Sequence, residues 1–162
     1  MLKIEVSNLV VDPTNGVPVL LLEELETAYT VPIWIGEAEA MSIALELQGD
    51  SFPRPLTHDL IKSVLDSLNS RLKQVIIDDV NDSTYFATLV FEDKDGNVFT
   101  VDARPSDSVA LALRSGSPLY ITEDVFEQTA IKESFDLRTE GQNDFEQFID
   151  EEMNLKDFKK FT

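Results

Sequence analysis

Two stretches of this chain place an arginine before a proline at what reads as the start of a helix: Arg54-Pro55-Leu56-Thr57-His58-Asp59 and Arg104-Pro105-Ser106-Asp107-Ser108. A helix N-terminus offers free backbone N–H groups and partial positive charge. An arginine beside it suits an anion, above all a phosphate. Thr57 and Ser106 are of the type that caps helices, so each is expected at an N-cap. Only eight basic residues precede residue 131, and two of them stand here. His58 is the single histidine. At a first helical turn the positive dipole favours a neutral ring, fit to act as general base or metal ligand. Its plainer role is to fix the loop. Asp59 and Asp107 fall in first turns, where acids complement the dipole. Their alternative is to hold a divalent cation, Mg²⁺ or Mn²⁺, together with Glu39, since such hard ions take oxygen ligands. Asp102 would join them from its strand end. Arg54 and Arg104 would clamp a phosphate or stabilise developing charge; otherwise they are spent in ion pairs with the acids around them. The expectation is that both arginines and His58 line one cavity.

The charge balance weighs against the simplest nucleic-acid reading. The formal net charge is −18, whereas phosphate neutralisation by basic residues supplies much of the affinity of ordinary nucleic-acid binders. No stripe of aromatic and basic residues is present, and Trp34 reads as core before it reads as a stacking platform. A cation would bridge acidic protein and anionic substrate. There is no cysteine, which excludes disulfides and thiolate metal sites. No run of 18 apolar residues occurs, and Met1-Leu2-Lys3-Ile4-Glu5-Val6 reads as a strand, not a signal peptide. A cytoplasmic protein with no membrane span is expected.

Periodicity and turn chemistry lay out the strands and helices that carry these residues. Residues 3–12 and 17–25 form a hairpin about Asn15-Gly16, and 30–35 a third strand. Residues 37–48 read as a helix apolar on most sides, hence buried. Residues 57–68 read as an amphipathic helix with Leu60, Ile61, Val64, Leu65 and Leu68 as its apolar stripe. Strands follow at 73–80, 85–92 and 97–103, the last two joined by the turn Asp93-Lys94-Asp95-Gly96-Asn97. A short apolar helix spans 106–115, then a strand at 119–122 and a helix at 123–130 capped by Thr122. The order predicts an α+β fold with mixed, largely antiparallel sheets and segregated helices. Ile43-Ala44-Leu45-Glu46-Leu47 and Val109-Ala110-Leu111-Ala112-Leu113 suggest a duplicated hairpin-strand-helix unit. Residues 1–130 are expected to form one domain. Residues 131–162 read as an acidic helical appendage carrying Phe135, Phe145, Phe148, Phe158 and Phe161, docked on the domain or on a partner subunit, so a homo-oligomer is expected.

Three segments together resemble the bifunctional nuclease domain family: Ile33-Trp34-Ile35-Gly36-Glu37-Ala38-Glu39-Ala40, Arg54-Pro55-Leu56-Thr57-His58-Asp59-Leu60, and Asp102-Ala103-Arg104-Pro105-Ser106-Asp107-Ser108-Val109-Ala110-Leu111-Ala112-Leu113. The resemblance covers residues 1 to about 130 and implies an α+β domain, with DNase and RNase activity in some members. With the residues above, it frames a phosphodiesterase of low sequence specificity acting on DNA or RNA. Arg54 and Arg104 would hold phosphate, His58 would activate water, and Glu39, Asp59 and Asp107 would hold a metal or orient His58. The alternative is a non-enzymatic module that binds a small anion or a protein.

Overall fold

The computed structural model describes residues 1–27 and 29–132. The chain runs β1 (Leu2–Val11), β2 (Pro18–Glu24), β3 (Tyr29–Trp34), α1 (Glu37–Gln48), α2 (Thr57–Ser67), β4 (Arg71–Asn81), β5 (Thr84–Glu92), β6 (Val98–Ala103), α3 (Pro105–Ser115), β7 (Leu119–Ile121), α4 (Glu123–Thr129) and β8 (Ile131–Lys132). The strands make one eight-stranded mixed sheet in the order β6-β5-β4-β7-β1-β2-β3-β8. Every pairing is antiparallel except β4 with β7. The class is α+β.

The halves repeat one plan. Each is an antiparallel three-stranded meander, β1-β2-β3 or β4-β5-β6, followed by a buried helix. β7 joins them, antiparallel to β1 and parallel to β4, so the two leading strands run in opposite directions. α1 and α3 both stop at a glycine in the left-handed conformation, Gly49 (φ 72°) and Gly116 (φ 63°), where a side chain would be strained. The segments that look alike in sequence are the buried faces of these helices: Ile43, Ala44 and Leu45 in one, Val109, Ala110 and Leu111 in the other.

α1 packs on α3, α2 packs on α3, and α3 lies on β4 and β5. The core between helices and sheet includes Ile4, Leu20, Leu22, Ile43, Ile77, Leu111 and Ile121, all almost wholly buried. Each such aliphatic side chain contributes about 1.5–3 kcal/mol. The sheet curls on itself. Tyr85 in β5 donates its hydroxyl to the carbonyl of Pro32 in β3 at 3.3 Å, although four strands separate them in the sheet order.

Three expectations are corrected. The apolar stripe of α2 is not buried: Leu60 is 54% exposed and Leu68 65%, while Ile61 and Val64 are open as well. α2 rests on α3 through buried His58 and through Leu65, the one member of that stripe packed against the core. Trp34 is not core either; it is 53% exposed, with Nε1 donating to Asp12 Oδ2 at 2.9 Å. Ile131–Lys132, placed in the appendage by composition, pairs with β3 as β8. The remainder of that appendage, residues 133–162, lies outside the described residues.

Candidate functional site

The openings of α2 and α3 meet the first two turns of α1. α3 begins at Pro105, and Arg104 is its N-cap residue. Proline suits the first helical position because its fixed φ is already helical and its missing N–H would have had no partner there. Ser106, expected as the cap, is instead buried in the first turn. α2 begins at Thr57 with Leu56 at the N-cap, so Thr57 is not the cap. The carboxylate of Asp59 reaches back to accept the Leu56 N–H at 2.9 Å. This is one arm of a capping box; leucine offers no acceptor for the other. Both helices therefore carry an aspartate at their third position, Asp59 and Asp107.

His58 is 7% exposed and bonded at both ring nitrogens. Nε2 lies 3.0 Å from Asp107 Oδ1, and Nδ1 lies 2.7 Å from Ser42 Oγ. A carboxylate only accepts hydrogen bonds, so Nε2 carries hydrogen. In the neutral ring the basic lone pair then sits on Nδ1, facing the Ser42 hydroxyl. The other oxygen of Asp107 accepts from Arg104 Nε at 2.8 Å, and Arg104 Nη2 also donates to Glu39 Oε1 at 2.8 Å. The result is a continuous chain: Glu39, Arg104, Asp107, His58, Ser42. The bonds to Asp107 and then to Glu39 hold the Arg104 guanidinium even further above its high ordinary pKa, so it is cationic at any working pH.

A second arginine locks this arrangement from behind. Arg114, in the last turn of α3 with its side chain 6% exposed, donates to Asp59 Oδ1 at 2.6 Å, to the Ala110 carbonyl at 2.9 Å and to the Ser42 carbonyl at 3.1 Å. It ties α3 to the start of α2 and to α1 at Ser42. Burial would push the Asp59 carboxyl up, but the Arg114 hydrogen bond, the Leu56 N–H and the Arg114 charge outweigh it, so its pKa lies below the ordinary range.

A cavity of about 670 Å³ opens over these groups, lined by Glu39, Ser42, Thr57, His58, Arg104 and Asp107 among others. A larger one of about 820 Å³ lies beside it, lined by Trp34, Tyr85, Ser106 and, again, Arg104. Arg104 therefore stands between the two. Its side chain is 66% exposed, and exposed ion pairs are worth only about 0.2–1 kcal/mol. Nη1 takes no part in the bonds to Glu39 and Asp107.

The residues singled out by sequence divide. His58, Asp107, Arg104 and Glu39 come together. Asp59 lies at the same helix opening but is committed to Arg114. Arg54 is exposed, is not among the residues lining the cavity, and makes no hydrogen bond or ion pair among the described residues. It stands two residues before the N-cap of α2, whereas Arg104 is the N-cap of α3. The expected pairing of two arginines in one cavity is therefore corrected to Arg104 alone. Asp102 is exposed in β6 and likewise not among the lining residues. The carboxylates Glu39, Asp59 and Asp107 do not fit a metal as a set, since two share Arg104 and the third pairs with Arg114. Among the described residues no group of three or more His, Asp or Glu is arranged to hold a metal ion.

The profile of the bifunctional nuclease domain matches residues 19–134. The chain belongs to the bifunctional nuclease domain family. Two proteins of Mycobacterium tuberculosis, one from strain CDC 1551 and one from strain H37Rv, are each 46% identical to it over 129 residues, covering 80% of this chain and 76% of theirs. Both are named only as uncharacterized proteins. The match spans every site residue of this bifunctional nuclease domain, from Glu39 to Arg114. No helix among the described residues is long and apolar enough to cross a membrane.

Sequence reasoning missed Ser42 and Arg114. Each carried a signal. Ser42 stands beside Ile43, Ala44 and Leu45 on the buried face of α1, and the Arg114 side chain is buried at the end of α3; a buried polar or charged group must find a partner.

Proposed function

We propose that this domain is a nuclease-like phosphodiesterase that hydrolyses DNA or RNA with low sequence specificity at the His58–Asp107–Arg104 cavity. The observation that carries the reading is the hydrogen-bonded chain from Arg104 through Asp107 to His58 at the wall of an open cavity, in a bifunctional nuclease domain. Asp107 fixes the tautomer of His58 and leaves Nδ1 as the base. Arg104 supplies positive charge for a phosphate through Nη1, and exchanging part of its weak surface pairing for a phosphate costs little. A strand passing over Arg104 has the His58 cavity on one side and exposed Trp34 on the other. Contacts to backbone phosphate and a sequence-tolerant aromatic face account for low specificity.

The test is cleavage of single- and double-stranded DNA and RNA, with and without EDTA, by wild type and His58→Gln. Glutamine is preferable to alanine because His58 is buried and bonded on both sides. The expected result is a loss of about 100-fold or more in the variant, the usual scale for a general base. Equal cleavage by both proteins contradicts the proposal. The EDTA arm decides whether a divalent cation, Mg²⁺ or Mn²⁺, takes part. A second reading, a non-enzymatic module binding a small anion or a protein, is favoured by the net charge of −18 and by the carboxylates already on Arg104. Its outcome is saturable anion binding lost in Arg104→Ala, with no turnover of any nucleic acid.

A further inference from the structure

Ser42 differs from the other helical hydroxyls in the way its side chain is engaged. Hydroxyls inside helices commonly return their hydrogen to the carbonyl four residues back. Ser63 does so to Asp59, Ser67 to Ser63, Ser108 to Arg104 and Thr129 to Val125, at 2.7–2.9 Å. Ser42, in the second turn of α1, has its Oγ 2.7 Å from His58 Nδ1. It is 7% exposed, and it is among the residues lining the 670 Å³ cavity. Since Nε2 of the ring is turned to Asp107, the only basic lone pair of the imidazole faces this hydroxyl. A water molecule would have to displace Ser42 to reach it.

We propose that Ser42 is the nucleophile of this site and that the reaction passes through a phosphoseryl intermediate. The inference rests on the phosphodiesterase reading above. Ser42, His58 and Asp107 stand as nucleophile, base and orienting acid, the general arrangement of an activated serine. Relative to the serine-protease arrangement the two ring nitrogens are exchanged: here Nδ1 meets the serine and Nε2 the acid. In the first step Ser42 Oγ bonds to phosphorus and its proton passes to His58 Nδ1. The bond from phosphorus to the leaving oxygen breaks, and that oxygen takes up a proton from solvent as the imidazolium returns one. In the second step water attacks phosphorus and gives its proton to Nδ1. The Oγ–P bond breaks and Ser42 recovers its hydrogen. One water is consumed, and a phosphomonoester and a free hydroxyl are produced. Arg104, the cation of this cavity, faces the charge on the non-bridging oxygens.

The experiment uses the full chain and an organophosphorus fluoride, diisopropyl fluorophosphate. Attack by Oγ forms an O–P bond and expels fluoride, with no need for a nucleic-acid substrate. Adduct mass and peptide mapping are read alongside nuclease activity. The expected result is one adduct, on Ser42, absent from Ser42→Ala and His58→Gln, with Ser63, Ser67 and Ser108 unlabelled. Ser42→Ala should melt near wild type, since alanine is nearly isosteric and favours helix, yet cleave roughly 100-fold more slowly. Cleavage by Ser42→Ala within threefold of wild type overturns the proposal and leaves Ser42 as a positioning residue. So does a wild-type preparation that cleaves nucleic acid but takes no label, or label that survives His58→Gln. Label on Ser42 in a protein that cleaves no nucleic acid supports the nucleophile and defeats the phosphodiesterase reading, so the two failures are distinct.

Discussion

The two Arg–Pro helix openings look alike as text and differ as structure. In α3 the arginine is the N-cap, proline the first helical residue and Asp107 the third. In α2 the same dipeptide comes two residues too early: Leu56 is the N-cap and Asp59 the third residue. The arginine therefore stands three residues before its aspartate in one opening and five before it in the other. Three residues lets Arg104 bond Asp107 directly. Five leaves Arg54 exposed, and Asp59 is met by Arg114 from the far end of α3. The difference in phase separates an arginine that lines the cavity from one that does not. It also gives α2 a histidine at its second position, turned into the site, where α3 has Ser106. One opening brings Arg104 and Asp107 to the cavity, the other brings His58.

Arg114 takes at α2 the place of the missing local arginine. Arg114→Met removes three hydrogen bonds from a buried guanidinium and leaves Asp59 and the Ser42 carbonyl without that donor. Breaking such a pair from one side should lower stability by about 3 kcal/mol, read as a lowered denaturation midpoint. A loss no larger than that of a surface substitution would mean the openings are held together by packing alone.

A smaller effect concerns pH. The Asp59 carboxyl lies below its ordinary value of 3.8 because Arg114 and the Leu56 N–H outweigh its burial. A depressed folded pKa contributes stability that is present above the unfolded value and lost as pH falls through the folded one. Asp59→Asn should therefore flatten the fall in stability of the wild type below pH 3.8, measured as denaturation midpoints across that range. An unchanged acid limb would remove Asp59 from the account.

The smallest expected effect is on encounter. A protein of net charge −18 repels a polyanion, and salt screens that repulsion. kcat/KM on a short oligonucleotide should rise roughly twofold between about 10 and about 100 mM NaCl. A steep fall would mean that several cations bind the strand, against the single Arg104 of the proposed site.

Much of the fold could be read from residues. Hairpin turns, glycine stops and the alternation of buried residues place the elements within a few positions, because those signals are local. β8 escaped, since two residues at an edge carry no period. α2 misled for a physical reason: an apolar stripe at helical spacing reports what a face could bury, and here the edge that packs is the one bearing His58. The site was half legible. His58, Asp107, Glu39 and Arg104 are of types that advertise chemistry, but which arginine serves depends on where each helix begins. That is set by Pro105 in one case and by Asp59 reaching Leu56 in the other. Ser42 and Arg114 escaped because their significance lies in contacts 16 and 55 residues away, which no spacing in the chain encodes.

The central claim, that a single Arg–Pro opening supplies the cation of the site, is tested most directly by measuring kcat/KM for Arg54→Ala and Arg104→Ala side by side on one oligonucleotide. Arg104→Ala should lose roughly tenfold or more, the cost of about 1.4 kcal/mol of transition-state stabilisation, and Arg54→Ala should stay near wild type. Equal losses, or a loss confined to Arg54→Ala, would contradict the account.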